Sequence, residues 1–209
     1  IRNEQYNNLT LNSSKTREMV VHKTGVKNWD KNLPEKLDGI ERVASMKILG
    51  VYFDETLSFK EHLHRVLGGA ASSMYAIKIL RSKGLSGSSL WDVTTQIAIS
   101  KMLYASPVWW GYMDNTSQQR LNSVIKRLKR LNCLPQSFQN FDLLCNDADT
   151  NLFKNVLLNT THVLNHLLPK VKEHKYDLRK RVHDRCMPKA TQEFYKKSFI
   201  NRMLYKDCY

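Results

Sequence analysis

The chain has 209 residues, and its 42% hydrophobic fraction is large enough to build a core, which excludes wholesale disorder. Lys and Arg number 33 against 19 Asp and Glu, a formal net charge of +14 that attracts polyanions and makes binding sensitive to salt. Nucleic acid is therefore the leading expected partner and an anionic membrane surface the lesser one, with a merely basic, well-solvated protein as the bland alternative.

In chain order, Leu9–Asn12 is short and partly alternating and Glu18–His22 is β-prone, with the polar cluster Asn12–Thr16 between them suited to a turn. Residues 23–39 carry Gly25, Pro34 and Gly39 and read as a loop or wide hairpin. Ala44–Asp54 reads as the clearest strand, with Gly50 marking a bulge or a close backbone approach. From Ser58 the period becomes helical: Phe59, Leu63, Val66, Leu67, Ala70, Ala71, Met74, Ile77 and Leu80 share one face, and Gly84 and Gly87 close it. A second helix is expected from about Ser89 through Leu103, with Val93, Ile97 and Leu103 facing the core. The chain then bends at Pro107 beside Trp109 and Trp110.

A third helix, capped near Thr116–Ser117 and running to about Leu131, has the stripe Leu121, Val124, Ile125, Leu128, Leu131. Residues 136–150 read as a polar loop and Asn151–Leu168 as an amphipathic helix ended by Pro169. A base-rich run, Lys170–Arg185, and a short helix over Ser198–Tyr205 complete the chain. The expected class is α+β: a few strands first, over residues 1–56, then a mostly helical body over 57–134 and a basic helical region over 135–209.

Cys133, Cys145, Cys186 and Cys208 form no C-x-x-C pair and read as free thiols of a reducing compartment. No segment approaches the roughly 18–20 apolar residues of a membrane span, and Ile1–Gln5 has no apolar signal region. An intracellular protein, of cytoplasm or nucleus and without a membrane partner, is expected. His162 and His166 stand four apart on the expected helix, but no Glu follows His162 and no third ligand is evident, so metal binding is not expected. Trp109, Trp110 and Tyr112 offer faces on which bases could stack, yet their place after a helix and beside Pro107 favours core packing.

Two stretches resemble non-LTR retrotransposon reverse transcriptases of the LINE type. Asn8–Val21, with Leu9-x-Leu11-Asn12 followed two residues later by Lys15-Thr16 and an apolar strand, resembles the palm segment called motif D. Lys47-Ile48-Leu49-Gly50-Val51-Tyr52-Phe53-Asp54, followed by Leu57-Ser58-Phe59 and His62, resembles motif E, the hairpin that grips the primer strand. More loosely, Tyr104–Trp109 resembles the thumb signature of jockey-like and CR-type elements, and Ser198–Arg202 the usual end of their reading frame.

The resemblance implies the end of a palm, a thumb and a basic tail of an RNA-directed DNA polymerase that holds RNA and RNA–DNA primer–template. It also implies that fingers and palm of the same polyprotein are missing upstream. Its two Mg2+ ions would sit on an early palm Asp and a Tyr-x-Asp-Asp hairpin, whereas this chain has no Asp-Asp pair and Asp30, Asp38, Asp54 and Asp92 are dispersed. A fragment inactive alone is the expectation, needing no cofactor of its own.

Lys15 matches the motif D lysine, which would protonate or neutralise departing pyrophosphate in a complete polymerase; the plain alternative is an exposed turn lysine. Leu49, Gly50 and Val51 would form the primer grip, or else an ordinary bulged strand. Arg120, Lys126, Arg127, Lys129 and Arg130 would track phosphates from one helix face with no acid among them, or simply be solvated. Lys170, Lys172, Arg179, Lys180 and Arg181 are similar, diluted by Glu173, Asp177 and Asp184.

A stand-alone basic nucleic-acid-binding protein derived from a transposon is the alternative function. Residues Leu9–Val21 also resemble a small N-terminal domain of an AlkB-homologue tRNA-modification enzyme, but neither the H-x-D iron motif of the dioxygenase nor the G-x-G loop of a methyltransferase occurs.

Overall fold

The structure, a computed structural model, describes residues 12–23, 25, 30, 33–172, 183–188 and 193–206. It is of mixed α and β class, with the strands early and the helices after, and it divides into two compact units, Ile1–His62 and Leu63–Tyr209.

In the first unit, β1 (Arg17–Glu18) runs parallel to β2 (Glu41–Arg42) in the register Arg17↔Glu41 and Glu18↔Arg42. Each register pair joins opposite charges: Arg17 Nε lies 2.8 Å from Glu41 and Arg42 Nε 2.6 Å from Glu18. Cross-strand pairs of opposite charge specify such a register more than they stabilise it, at about 0.2–1 kcal/mol each. Of the β-prone Glu18–His22 only Glu18 is in a strand; His22 continues beside Glu55, donating its N–H to that carbonyl at 2.8 Å. The alternating Leu9–Leu11 lies outside the described residues.

The single strand expected over Ala44–Asp54 is instead an antiparallel hairpin, β3 (Ser45–Ile48) with β4 (Val51–Asp54), and Gly50 is in its turn rather than in a bulge. Leu49 and Gly50 are the two turn residues, both at positive φ (47° and 90°), as a type I′ turn requires. Gly50 adopts this freely, but a leucine there costs about 1–2 kcal/mol. Replacing Leu49 with Asn should therefore raise stability by about 1 kcal/mol, read as a higher urea midpoint, because Asn tolerates the left-handed region.

After β4 the chain turns through Asp54. Its Oδ1 accepts from Thr56 N, Thr56 Oγ1 and Ser58 N, and its Oδ2 from Ser58 Oγ, all at 2.6–3.0 Å. This clasp holds two further non-glycine residues at positive φ, Leu57 (51°) and Phe59 (55°). Phe59 is buried and packs edge-on to Phe53 at 5.3 Å. His62, also buried, accepts from Tyr52 N at 3.4 Å, and burial lowers its pKa, which keeps the accepting imidazole neutral.

Helix α1 (Lys60–Ser82) follows, and Leu63, Ala70, Ser73 and Ile77 are its buried residues beyond the first turn. It ends in a Schellman motif: Gly84 N–H bonds to Arg81 O and Leu85 N–H to Leu80 O. Next come α2 (Gly87–Thr94), a π-helical turn (Thr95–Ile99) and α3 (Ser100–Leu103). Hydroxyls surround that turn: Thr94 and Thr95 bond back to Leu90 O and Trp91 O, and Ser73 of α1 donates to Ile97 O at 3.3 Å. The buried stripe is Leu90, Thr94, Ala98, Ile99 and Met102, its later part displaced by the extra residue, while Val93, Ile97 and Leu103 are only half-buried.

The bend expected at Pro107 occurs at Ala105, whose φ is 51°; Pro107 sits in the first turn of the short α4 (Ser106–Trp109), where its missing N–H costs nothing. Trp109 and Trp110 are buried against Phe141, one stacked at 6.4 Å and the other edge-on at 5.7 Å, so they are core residues. A 3-10 turn, Trp110–Tyr112, leads to α5 (Asn115–Arg130), whose cap is Asp114, accepting Ser117 N at 2.7 Å, rather than Thr116–Ser117.

Helix α6 (Phe141–Leu158) starts ten residues before the one expected at Asn151, in the segment read as a loop, and ends well before Leu168. It buries Phe141, Cys145, Asp149, Phe153 and Val156, about one residue per turn. Asn165, in a 3-10 turn (Asn165–Leu167), donates to Val156 O at 2.8 Å and so closes the helix. His162 and His166 consequently do not share a helix face.

Among the described residues of the base-rich run, Val171 bridges Arg185 as two extended segments, so this part is not helical. Helices α7 (Glu193–Lys197) and α8 (Phe199–Tyr205) follow; Met203 and Leu204 pack on Phe153, joined by Leu157, Leu168, Phe199 and Ile200.

One polar cluster lies within this second core. Asp149, 1% exposed, meets Arg202 of α8 at 2.7 Å, and Arg202 also donates to Lys197 O at 3.1 Å. A Cβ on Gly111 would overlap the Arg202 guanidinium and the Lys197 carbonyl, so only glycine admits this crossing. Burial raises the Asp149 pKa and Arg202 offsets it in part. Cys145, one turn earlier and beside Ser106, is fully buried with its pKa driven up, which makes it an inert thiol rather than a nucleophile.

Candidate nucleic-acid interface

Helix α5 positions the cations. Leu121, Ile125 and Leu128 are each fully buried, and this stripe fixes the rotation of the helix, so that Arg120, Lys126, Arg127 and Arg130 are exposed on the opposite side with Lys129 at the flank. The spacing Lys126–Arg130 and Arg127–Arg130 puts these side chains on adjacent turns. Among the described residues none of the five makes an ion pair, and residues 115–141 contain no Asp or Glu.

The helix ends in a Schellman motif, with Asn132 at φ 53°, Cys133 N–H on Leu128 O and Asn132 N–H on Lys129 O, both at 2.9 Å. A cation from elsewhere completes this end. Arg81, in the last turn of α1, donates Nη1 to Leu131 O and lies against the Cys133 thiol, whose pKa burial raises and Arg81 partly restores. Nothing local in the sequence announces this contact, because its two residues are 50 apart.

The other candidates lie on other elements. Lys15 is exposed in the turn that Asn12 organises, where Lys15 N–H bonds to Asn12 O at 3.1 Å. Leu49, 88% exposed, and the exposed Gly50 form the hairpin tip, while Val51 is 4% exposed, so its side chain is a core group and only its backbone could serve a ligand. Lys170 and Lys172 are exposed on either side of Val171; Arg179, Lys180 and Arg181 lie outside the described residues.

A two-metal site would need several carboxylates gathered together among the described residues. No three His, Cys, Asp or Glu gather there, and the Asp54 carboxylate is already engaged by Thr56 and Ser58. None of the described helices is long and apolar enough to cross a membrane.

Such an arrangement can hold phosphates by charge along a helix face and, at the hairpin, offer a backbone turn and an apolar tip. Comparison of the chain with protein-family models, with curated proteins and with solved structures found no match.

Proposed function

We propose that the chain is the C-terminal part of a non-LTR retrotransposon reverse transcriptase, in which it holds RNA–DNA primer–template without carrying out nucleotidyl transfer itself. The observation that carries this reading is the hairpin. The residues resembling motif E, Lys47–Asp54, form two antiparallel strands whose turn presents Leu49 and Gly50 to solvent. A strained, exposed leucine is what a contact element would retain at a stability cost. The acid-free cationic face of α5 supports the same reading, since phosphate contacts supply affinity independent of sequence. In a complete polymerase Lys15 would act on the departing pyrophosphate, and Mg2+ would be held by carboxylates that this chain lacks.

The test is binding of the full chain to a short RNA–DNA hybrid between about 50 and 200 mM salt. Affinity should fall steeply with salt. Changing Lys126, Arg127, Lys129 and Arg130 together to Gln should reduce the magnitude of the log–log slope by about 3–4, near 0.9 for each lost contact. A wild-type affinity indifferent to salt would sink the reading.

A further inference from the structure

Two helix ends meet in the second unit. Both α1 and α5 close with Schellman motifs, and Arg81 of α1 reaches the last carbonyl of α5. Arg81 is the cation that joins the two ends, with Lys78 one turn before it in α1 and Lys83 just past the helix, while Lys126, Arg127, Lys129 and Arg130 lie in the last turns of α5. The partial charge of a helix C-terminus is about −0.5 at each end, so two ends use about one of these cations. Neither contributing stretch offers a carboxylate, since residues 62–91 and 115–141 contain no Asp or Glu. The helix dipoles therefore leave most of the charge without a counterpart, and the excess calls for a polyanion.

We infer that Arg81 and Lys83 form the second limb of a phosphate-binding surface, with Arg81 as a pre-ordered fork between the two helix ends. This rests on the nucleic-acid reading above and adds residues that it did not include. Arg81 is fixed by Leu131 O and the Cys133 thiol, so little side-chain freedom is lost when it meets a phosphate. A guanidinium has five N–H donors, and with Leu131 O and the Cys133 thiol each taking one, donors remain on an exposed side chain for phosphate oxygens. Lys83, exposed two residues on, contributes a point charge at the same end.

The experiment uses R81Q, K83Q, R81Q/K83Q and R81K in the full chain, with the RNA–DNA hybrid and the same salt series. Each single Gln variant should lower the magnitude of the slope by about 1 and the double by about 2, while R81K keeps the wild-type slope. K83Q removes no described side-chain contact, so it decides the matter even if R81Q proves too unstable to measure. A steep wild-type slope left unchanged by K83Q and by the double variant overturns this surface while leaving the α5 contacts standing. A flat wild-type slope removes both readings together. Displacement of the hybrid by phosphatidylserine vesicles, with vesicle binding lost in K83Q, would overturn nucleic acid as the partner.

Discussion

Replacing Arg202 with alanine should lower the stability of the second unit by about 3 kcal/mol, the lower part of the range for removing one partner of a buried ion pair. The lower part applies because the Arg202 side chain is 23% exposed, whereas that of Asp149 is 2% exposed. The variant strands a carboxylate that α6 cannot turn to solvent. Burial raises the Asp149 pKa and Arg202 only partly offsets it, so the desolvation of the carboxylate weighs against the attraction within the pair. An acid whose folded pKa is raised binds its proton in the folded state first, so its contribution grows less favourable as pH rises through that range. Three variants separate these effects in thermal melts. R202A should be the most damaging single change at the pair, D149N milder, and D149L/R202M should recover most of the loss, since apolar replacement removes both desolvation costs. Equal losses in R202A and in the double variant would show that the guanidinium matters for packing and not for charge.

Replacing Asp54 with alanine should cost about 2 kcal/mol in the first unit, because four hydrogen bonds to one carboxylate disappear while Leu57 and Phe59 remain at positive φ. Burial alone would raise this carboxyl's pKa, but the bonds from Thr56 and Ser58 together hold it below its ordinary 3.8. The folded state therefore binds its proton later than the unfolded one. Its contribution is fully present above the ordinary carboxylate range and is lost as pH falls through the depressed folded value. Hydrogen exchange at the Thr56 and Ser58 amides reads the clasp locally. Exchange should accelerate in D54A at pH 7, and the difference in stability from wild type should shrink as pH falls below the ordinary carboxylate range. A difference that persists undiminished in acid would assign the loss to packing rather than to the carboxylate.

What could be read in advance depended on whether local residues set the outcome. Helix α5 was legible because Leu121, Ile125 and Leu128 stand in a background of polar and basic residues, so both its rotation and its cationic face followed. The hairpin was not legible in its residues, which read as one strand. The alternation of β3 and β4 was present, but Leu49 in the first turn position lacks the Asn-Gly signal and made the turn look like strand. Helix α6 was placed too late because Asp142, Asn146, Asp147, Asp149 and Asn151 mask a narrow buried stripe, and Asp149 finds its partner 53 residues away. The α5 half of the candidate interface was visible as a run of bases. The α1 half was not, since only packing brings Arg81 to Leu131.

The π-helical turn at Thr95–Ile99 has a consequence for length variation in this part of the chain. An α-helix advances about 100° per residue, so a wide turn accommodates one residue beyond what the straight path needs. Loss of a single residue there could heal the helix into regular α geometry with its hydrogen bonds intact. Because the wide turn already absorbs that residue, Met102, the Ala105 bend and the Trp109–Phe141 stack would stay in phase, whereas a residue lost from the regular turns on either side would put them about 100° out of phase. Chains of common descent should therefore tolerate a one-residue deletion within Thr95–Ile99 and keep their residue count constant over the regular turns Gly87–Thr94 and Ser100–Leu103.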